Sequence, residues 1–225
     1  TRAVGSLVFI PLAVYMKYNI LGLAKENRAK VLLCTLIPLC VVINNFPIIG
    51  YLSGNAYLTH SGSYVAVFAL EAFMIGLFEE FAFRGVLFPY ILENHTSSRK
   101  SIFWATVASS AAFGGIHLFN LFAGAGVGGV VLQVGYSFLI GGMCAIVLLY
   151  TRCIWLSVAL HAIYDFGGFL IPTLGEGVIW DTATVIITTV IGILALIFMV
   201  LWLLRISPDT VKKLYSKNQK ENAPD

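Results

Sequence analysis

The sequence predicts an all-α protein, a polytopic transmembrane bundle of about seven helices. Hydrophobic residues make up 59% of its 225 positions and charged residues only 11%, whereas soluble domains have about 45–50% and 25%. The chain also contains repeated apolar runs of about 20 residues, the length that a helix needs to cross a bilayer. We therefore expect an integral, multi-pass membrane protein whose main partner is the lipid bilayer.

Seven apolar runs are candidates for spans, with limits that are approximate to within a few residues. They lie at 3–21, 30–52, 63–92, 101–122, 126–150, 153–172 and 182–204. The third run is longer than a bilayer requires, so we expect it to tilt or to project past the membrane. We assign residues 1–206 to one transmembrane helical domain and residues 207–225 to a polar, solvated cytosolic tail.

Lysine and arginine alternate between the predicted connections. They occur at the first, third and fifth connections and after the last span, whereas the loops around 53–62, 123–125 and 173–181 contain none. Because these residues accumulate on the cytoplasmic side, we expect the C-terminus in the cytosol and the N-terminus outside, across the plasma membrane if the cell is prokaryotic. Arg2 is the one exception to this pattern. The residues that obey the pattern are Lys17, Lys25, Arg28, Lys30, Arg99, Lys100, Arg152, Arg205, Lys212, Lys213, Lys217 and Lys220.

Two classes of site are excluded by the arrangement of charge and cysteine. The basic residues are dispersed and form no stripe, which argues against a nucleic-acid partner. The four cysteines lie in or beside apolar runs without CxxC spacing, so they predict neither a disulfide framework nor a zinc knuckle.

Four charged residues interrupt the third predicted span, and three of them lie together at residues 79–84. An ionisable group in a transmembrane helix costs a few kcal/mol, so it usually faces the protein interior, finds a partner and serves a function. Glu80 and Arg84 are four residues apart, which places them on one helical face, where they can form an ion pair. Glu79 lacks that local partner and is the candidate general base.

Ionisable residues also occur in the fourth and sixth predicted spans. The fourth contains His117, and the sixth contains His161 and Asp165, which are four residues apart, so that the carboxylate can orient the imidazole. Counted from the basic face, these groups and Glu79 lie at depths of roughly 12–24 Å. We therefore expect them to meet at one level, in a catalytic or transport site within the bilayer.

Some neighbouring residues have structural interpretations. Asn44 and Asn45 are expected to donate hydrogen bonds between helices, and Gly114 and Gly115 to admit a second helix or open the backbone toward a cavity. Glu71 could equally well be a second polar residue that lines the site or a residue with no role in it.

The ordered polar motifs resemble those of the CPBP family of intramembrane proteases, which includes type II CaaX prenyl endopeptidases, bacteriocin-processing and immunity proteins, and Abi-like proteins. That family carries EExxxR on one helix, FxxxH on the next and HxxxN or HxxxD on a later one. The corresponding residues here are Glu79-Glu80 with Arg84, Phe113 with His117, and His161 with Asp165.

The resemblance implies cleavage of a membrane-anchored peptide or protein, either prenylated or a leader peptide, at a site open to the cytosol. It implies that Glu79 activates water, that His117 holds the water or a metal, and that His161 with Asp165 stabilises the oxyanion or completes the coordination. Two mechanisms stay open. In one, Glu79, His117 and His161 bind Zn²⁺; in the other, Glu79 acts without a metal.

Two functions of other classes also fit buried acids and histidines. One is a transporter with a Glu/His relay. The other is a non-catalytic immunity or Abi-like membrane protein in which the polar cluster holds the helices together.

Overall fold

The computed structural model describes residues 2–23, 28–95 and 98–215, and this part of the chain is predominantly helical. The predicted all-α bundle is confirmed. Its helices are α1 (Arg2–Tyr15), α2 (Arg28–Asn44), α3 (Ile48–Leu52), α4 (Gly62–Glu80), α5 (Phe88–His95), α6 (Arg99–Ile116), α7 (Val127–Thr151), α8 (Ile154–Leu174), α9 (Thr182–Arg205) and α10 (Pro208–Lys212). A π-helical segment, Phe81–Leu87, joins α4 to α5, and a 3₁₀ helix, His117–Leu121, extends α6.

Within the described residues, four helical stretches are long and apolar enough to cross a membrane, namely α6 with its 3₁₀ extension, α7, α8 and α9. Their limits agree closely with the last four predicted spans. The third predicted span is also continuous helix, formed by α4, the π-helical segment and α5. Local signals set the ends, since Ser98 and Ser101 form a capping box at the start of α6, and Asp181 accepts a hydrogen bond from the Thr184 N–H at the start of α9.

The first two predicted spans are too long. Helix α1 has 14 residues and α2 has 17. Lys17 adopts a left-handed φ of 56°, which stops α1 well before residue 21. Pro47 has no N–H to continue the helical ladder, so α2 ends at Asn44 and a separate α3 follows.

The connections lie in two groups at opposite ends of the long helices. At one end the Ile154 N–H donates to the carbonyl of Ile20 at 2.8 Å, and the Asn19 N–H donates to the carbonyl of Leu214 at 2.7 Å. At the other end β1 (Ala56–Leu58) pairs antiparallel with β2 (Gly175–Gly177). The first and fifth connections therefore lie with the segment after α9, and the second lies with the sixth, in line with the alternation of basic charge.

The segment after α9 differs from the solvated tail that the sequence predicts from residue 207. Ser207 caps α10, and Val211 and Leu214 are buried in the core. The hydroxyl of Tyr215 donates to the carbonyl of Pro89 at 3.0 Å. Burial of these apolar side chains packs the segment against the bundle as far as Tyr215. Of the basic residues used to predict the orientation, three lie outside the described residues, namely Lys25, Lys217 and Lys220.

Two glycines let helices approach almost backbone to backbone. A Cβ atom at Gly76 of α4 would lie 3.0 Å from both the Ala162 nitrogen and the Val158 oxygen of α8. A Cβ atom at Gly114 of α6 would lie 2.7 Å from the Val134 oxygen of α7. The close approach predicted at Gly114 is therefore confirmed, and small residues perform here the role they have in membrane helix packing.

Candidate active site

The crossing of α4 and α8 positions the polar cluster. Gly76 lies one helical turn before Glu80, and Ala162, which it contacts, directly follows His161. Since no side chain separates the two backbones at this point, the next turn of α4 brings its carboxylates within reach of the imidazole.

A buried chain of three charged or polar groups forms the inner part of the site. Nη1 of Arg84 lies 3.1 Å from Oε1 of Glu80, and Nδ1 of His161 lies 2.8 Å from the same oxygen. Glu80 and Arg84 are fully buried, and His161 is 4% exposed. The ion pair predicted between Glu80 and Arg84 is confirmed, whereas its contact with His161 is not predicted by the sequence.

Two further carboxylates converge on the other nitrogen of the imidazole. Nε2 of His161 lies 3.6 Å from Oε2 of Glu79 and 3.5 Å from Oδ2 of Asp165. These separations exceed the usual length of a direct hydrogen bond. The side chains of Glu79 and Asp165 are 16% and 15% exposed, so this side of the cluster is more open than the Glu80 side.

Two hydrogen-bond acceptors, the carboxylates of Glu79 and Asp165, face Nε2 of His161. A carboxylate accepts hydrogen bonds, so Nδ1 of His161 donates its hydrogen to Glu80. With Nδ1 protonated, a neutral ring would point the Nε2 lone pair at Glu79 and Asp165, which are also acceptors. That contact becomes favourable when a proton is held on Nε2 or on one of the two carboxyl groups.

Phe113 is the apolar floor of the site. Its ring is 1% exposed, and its centroid lies 5.5 Å from the ring of His161 and 5.6 Å from that of His117. The guanidinium carbon of Arg84 lies 4.3 Å from the same centroid, within range of a cation–π contact. His117, which directly follows α6, therefore packs against the same Phe113 ring as His161.

A comparison with protein-family models matches residues 61–167 to the Rce1-like family, described as type II CAAX prenyl endopeptidase, Rce1-like. The matched segment runs from the start of α4 into α8 and contains every predicted site residue. This segment is similar to the Rce1-like family. The resemblance to CPBP proteases is thereby confirmed, and Rce1-like proteins are a family of membrane proteases. No curated protein and no solved structure matches the chain.

The Rce1-like segment does not present a ready-made zinc site. Among the described residues, no group of three or more His, Cys, Asp and Glu side chains is arranged to hold a metal ion. Nδ1 of His161 is taken by Glu80, so Nε2 is the ring nitrogen of this residue that a metal could use. Zinc ligation by Glu79, His117 and His161 stays a prediction.

The hydrogen bonds predicted for Asn44 and Asn45 are confirmed, whereas Glu71 lies outside the polar cluster. Nδ2 of Asn44 donates to Oγ1 of Thr188 at 3.0 Å, and Nδ2 of Asn45 donates to the carbonyl of Tyr164 at 2.7 Å. Both asparagines therefore connect α2 to other helices, as predicted. Glu71 is exposed on α4, two turns before the cluster.

Proposed function

We propose that this protein is an intramembrane endopeptidase that hydrolyses a peptide bond in a membrane-anchored peptide or protein, with water activated by Glu79. One observation carries the proposal: Glu79 and Asp165 converge on Nε2 of a histidine whose Nδ1 is fixed by a buried ion pair. The Rce1-like match over residues 61–167 supports the reaction class.

The two adjacent glutamates have different environments, which favours Glu79 as the base. Glu80 is fully buried and engaged by both Arg84 and His161. Glu79 is partly exposed, so a substrate and a water molecule can reach it. A base must lie within hydrogen-bond reach of the proton it removes, and Glu79 meets this condition more readily.

The reaction balances with the groups present. Glu79 takes a proton from water as the water oxygen attacks the carbonyl carbon. The proton held between His161 and Asp165 stabilises the negative oxygen of the tetrahedral intermediate. The C–N bond then breaks, the leaving amine receives the proton from Glu79, and the products are a carboxylic acid and an amine, between which the acid proton then passes to leave a carboxylate and an ammonium group. His117, which the family motif includes, is proposed to orient the water or the carbonyl from across Phe113.

Glu80 and Arg84 are proposed to position the imidazole and to balance charge. Arg84 offsets the charge of Glu80, and Glu80 fixes the ring of His161 through its Nδ1–H. An orienting carboxylate behind a functional histidine is a common arrangement in hydrolytic sites.

The proposed substrate is anchored in the bilayer and approaches from the cytosolic side. The cluster lies between helices of a membrane bundle, so a substrate that is held at the membrane reaches it without leaving the lipid phase. A prenylated C-terminal peptide is the first probe, because the matched family is named for prenyl endopeptidases. A leader peptide is the second.

The test compares Glu79→Gln with Glu71→Gln, the same change at an exposed position of the same helix. Purified parent and variants are incubated in lipid nanodiscs with a prenylated CaaX peptide, its unprenylated form and a leader peptide, and the products are identified by mass spectrometry. We expect Glu79→Gln to lower the cleavage rate by about 10²–10⁴-fold, with an unchanged melting temperature, while Glu71→Gln retains the parent rate. Cleavage by Glu79→Gln at the parent rate would contradict the proposal.

A further inference from the structure

Gly141 of α7, which lies outside the motifs of the site, is the residue against which the guanidinium of Arg84 packs. A Cβ atom on Gly141 would lie 2.5 Å from Nη2 of Arg84 and 3.1 Å from Cδ1 of Phe113. A Cβ atom almost never lies within 3.0 Å of an unbonded heavy atom, so the first separation is too short and the second is tight. Absence of a side chain at residue 141 is therefore a condition for the observed position of both groups.

The position of the Arg84 guanidinium depends on the atoms packed around it. Among the described residues, its three nitrogens make no hydrogen bond of good geometry. It pairs with Glu80 and lies over the rings of Phe113 and Phe83. These contacts do not fix the rotation of the guanidinium as a set of directed hydrogen bonds would, so the missing side chain at Gly141 limits where it can lie.

The consequences of moving the guanidinium reach the catalytic imidazole through one oxygen. Oε1 of Glu80 is shared by Arg84 at 3.1 Å and by Nδ1 of His161 at 2.8 Å. The ring of Phe113 contacts both Arg84 and His161. A displacement of either neighbour of Gly141 therefore alters the orientation of His161.

We infer that Gly141 is a positioning residue: its missing side chain seats Arg84 and Phe113, and through them fixes Glu80 and His161. This inference rests on the proposed function, which it deepens by adding a position on α7 that supports the catalytic groups. Gly141 touches no reacting atom.

The test uses three glycine-to-alanine changes on the same helix. Gly141→Ala places a methyl group against Arg84. Gly142→Ala places one against Met199 of α9, a packing defect that does not contact Arg84, and Gly135→Ala places one in open space. Alanine favours a helix over glycine by up to about 1 kcal/mol, and the far end of an arginine can shift, so we expect Gly141→Ala to fold.

The decisive measurement is spectroscopic and does not need turnover. The chain has four histidines, so ¹⁵N-histidine labelling in detergent micelles gives few signals, and the spectrum of His161→Gln assigns those of His161. We expect Gly141→Ala to shift the Nδ1 and Nε2 signals of His161, and the other two alanine variants to leave them unchanged. With the cleaved probe peptide, Gly141→Ala should lower kcat by about 10- to 100-fold with little change in KM.

A second background covers the case in which Gly141→Ala folds poorly. Lysine at residue 84 lacks Nη2, so in Arg84→Lys the added methyl group meets only the ring of Phe113, and Gly141→Ala should change the His161 signals less than it does in the parent. An equal change in both backgrounds overturns the inference, as do parent-like His161 signals with a parent-like kcat. If the parent cleaves none of the peptides, the proposed function fails, while a shift of the His161 signals in Gly141→Ala still supports the positioning role.

Discussion

The carboxylate of Glu80 accepts a hydrogen bond from Nδ1 of His161 at 2.8 Å, between residues 81 positions apart in the chain. The same oxygen pairs with Arg84, and all three groups are buried. A buried ion pair is costly to desolvate and costlier to break. The orientation of the imidazole is therefore tied to the integrity of a charge pair deep between the helices.

Removing one member of this pair should destabilise the protein strongly. In Arg84→Met the carboxylate of Glu80 loses its compensating charge, and the free energy of unfolding should fall by about 3–5 kcal/mol. Unfolding by sodium dodecyl sulfate in mixed micelles, followed by circular dichroism, measures this quantity.

The matched control removes both charges. In Glu80→Gln combined with Arg84→Met no unpaired charge remains, and the glutamine oxygen can still accept from His161. We expect the double variant to recover most of the lost stability. A double variant no more stable than Arg84→Met would show that charge compensation is not what the pair contributes.

Chelation separates the two mechanisms that the sequence leaves open. The proposed glutamate mechanism requires cleavage of the probe peptide to continue after dialysis against a strong zinc chelator. Loss of activity on chelation, with recovery on adding Zn²⁺ but not Mg²⁺, would instead support ligation by Glu79, His117 and His161. Metal content of the purified parent and of His117→Ala, measured by mass spectrometry, provides the second readout.

The crossing at Gly76 should tolerate no side chain. In Gly76→Ala the added methyl group meets backbone atoms of α8 at 3.0 Å, and backbone cannot turn aside as a flexible side chain can. We expect a loss of about 1–3 kcal/mol in unfolding free energy, with reduced cleavage because α4 and α8 separate beside His161. Gly62→Ala, where an added Cβ meets open space, should retain parent stability, and equal stability of the two variants would disprove the role of the crossing.

The fold class and the later spans could be predicted from the sequence because hydropathy over about 20 residues depends little on tertiary context. Hydropathy does not see a backbone change inside an apolar run, so the ends of α1 at Tyr15 and α2 at Asn44 were missed. The packing of Leu214 depends on distant residues, and a polar local composition conceals it.

Local pairs in the site could be predicted and distant ones could not. Glu80 with Arg84 and His161 with Asp165 are each four residues apart, a spacing that fixes one face of a helix. The contact of Glu80 with His161 requires the relative rotation of two helices, which periodicity does not supply. The π-helical segment Phe81–Leu87 likewise could not be predicted from the hydrophobic pattern, although such segments are frequent at functional sites.

Alkaline pH should weaken the end of the bundle where Tyr18 lies. Burial, and next the hydrogen bond to Glu93 at 2.7 Å, raise the pKa of Tyr18 above its ordinary value. The neutral phenol is thus the form that the folded state prefers. Its contribution is complete below a pH of about 10 and is lost as the pH rises above that value.

Tyr18→Phe tests this pH dependence. Near pH 7 the variant should be less stable than the parent by about 1–2 kcal/mol because it lacks the bond to Glu93, and the difference should shrink above a pH of about 10. Tyr51→Phe, a change at an exposed tyrosine of α3, should follow the parent curve. A constant difference between Tyr18→Phe and the parent from neutral to alkaline pH would rule out the ionisation of Tyr18 as the cause.

The orientation in the membrane can be tested at the two groups of connections. Lys212 lies in the group formed by the first and fifth connections and the segment after α9, and Glu176 lies in β2 in the opposite group; both are exposed. In a parent whose four cysteines are replaced, Glu176→Cys and Lys212→Cys each provide one thiol. Because basic connections favour the cytosol, we expect a membrane-impermeant maleimide to label residue 176 in intact cells, and residue 212 only after permeabilisation. The reverse pattern would place the C-terminus outside and would move the proposed approach of the substrate to the other face.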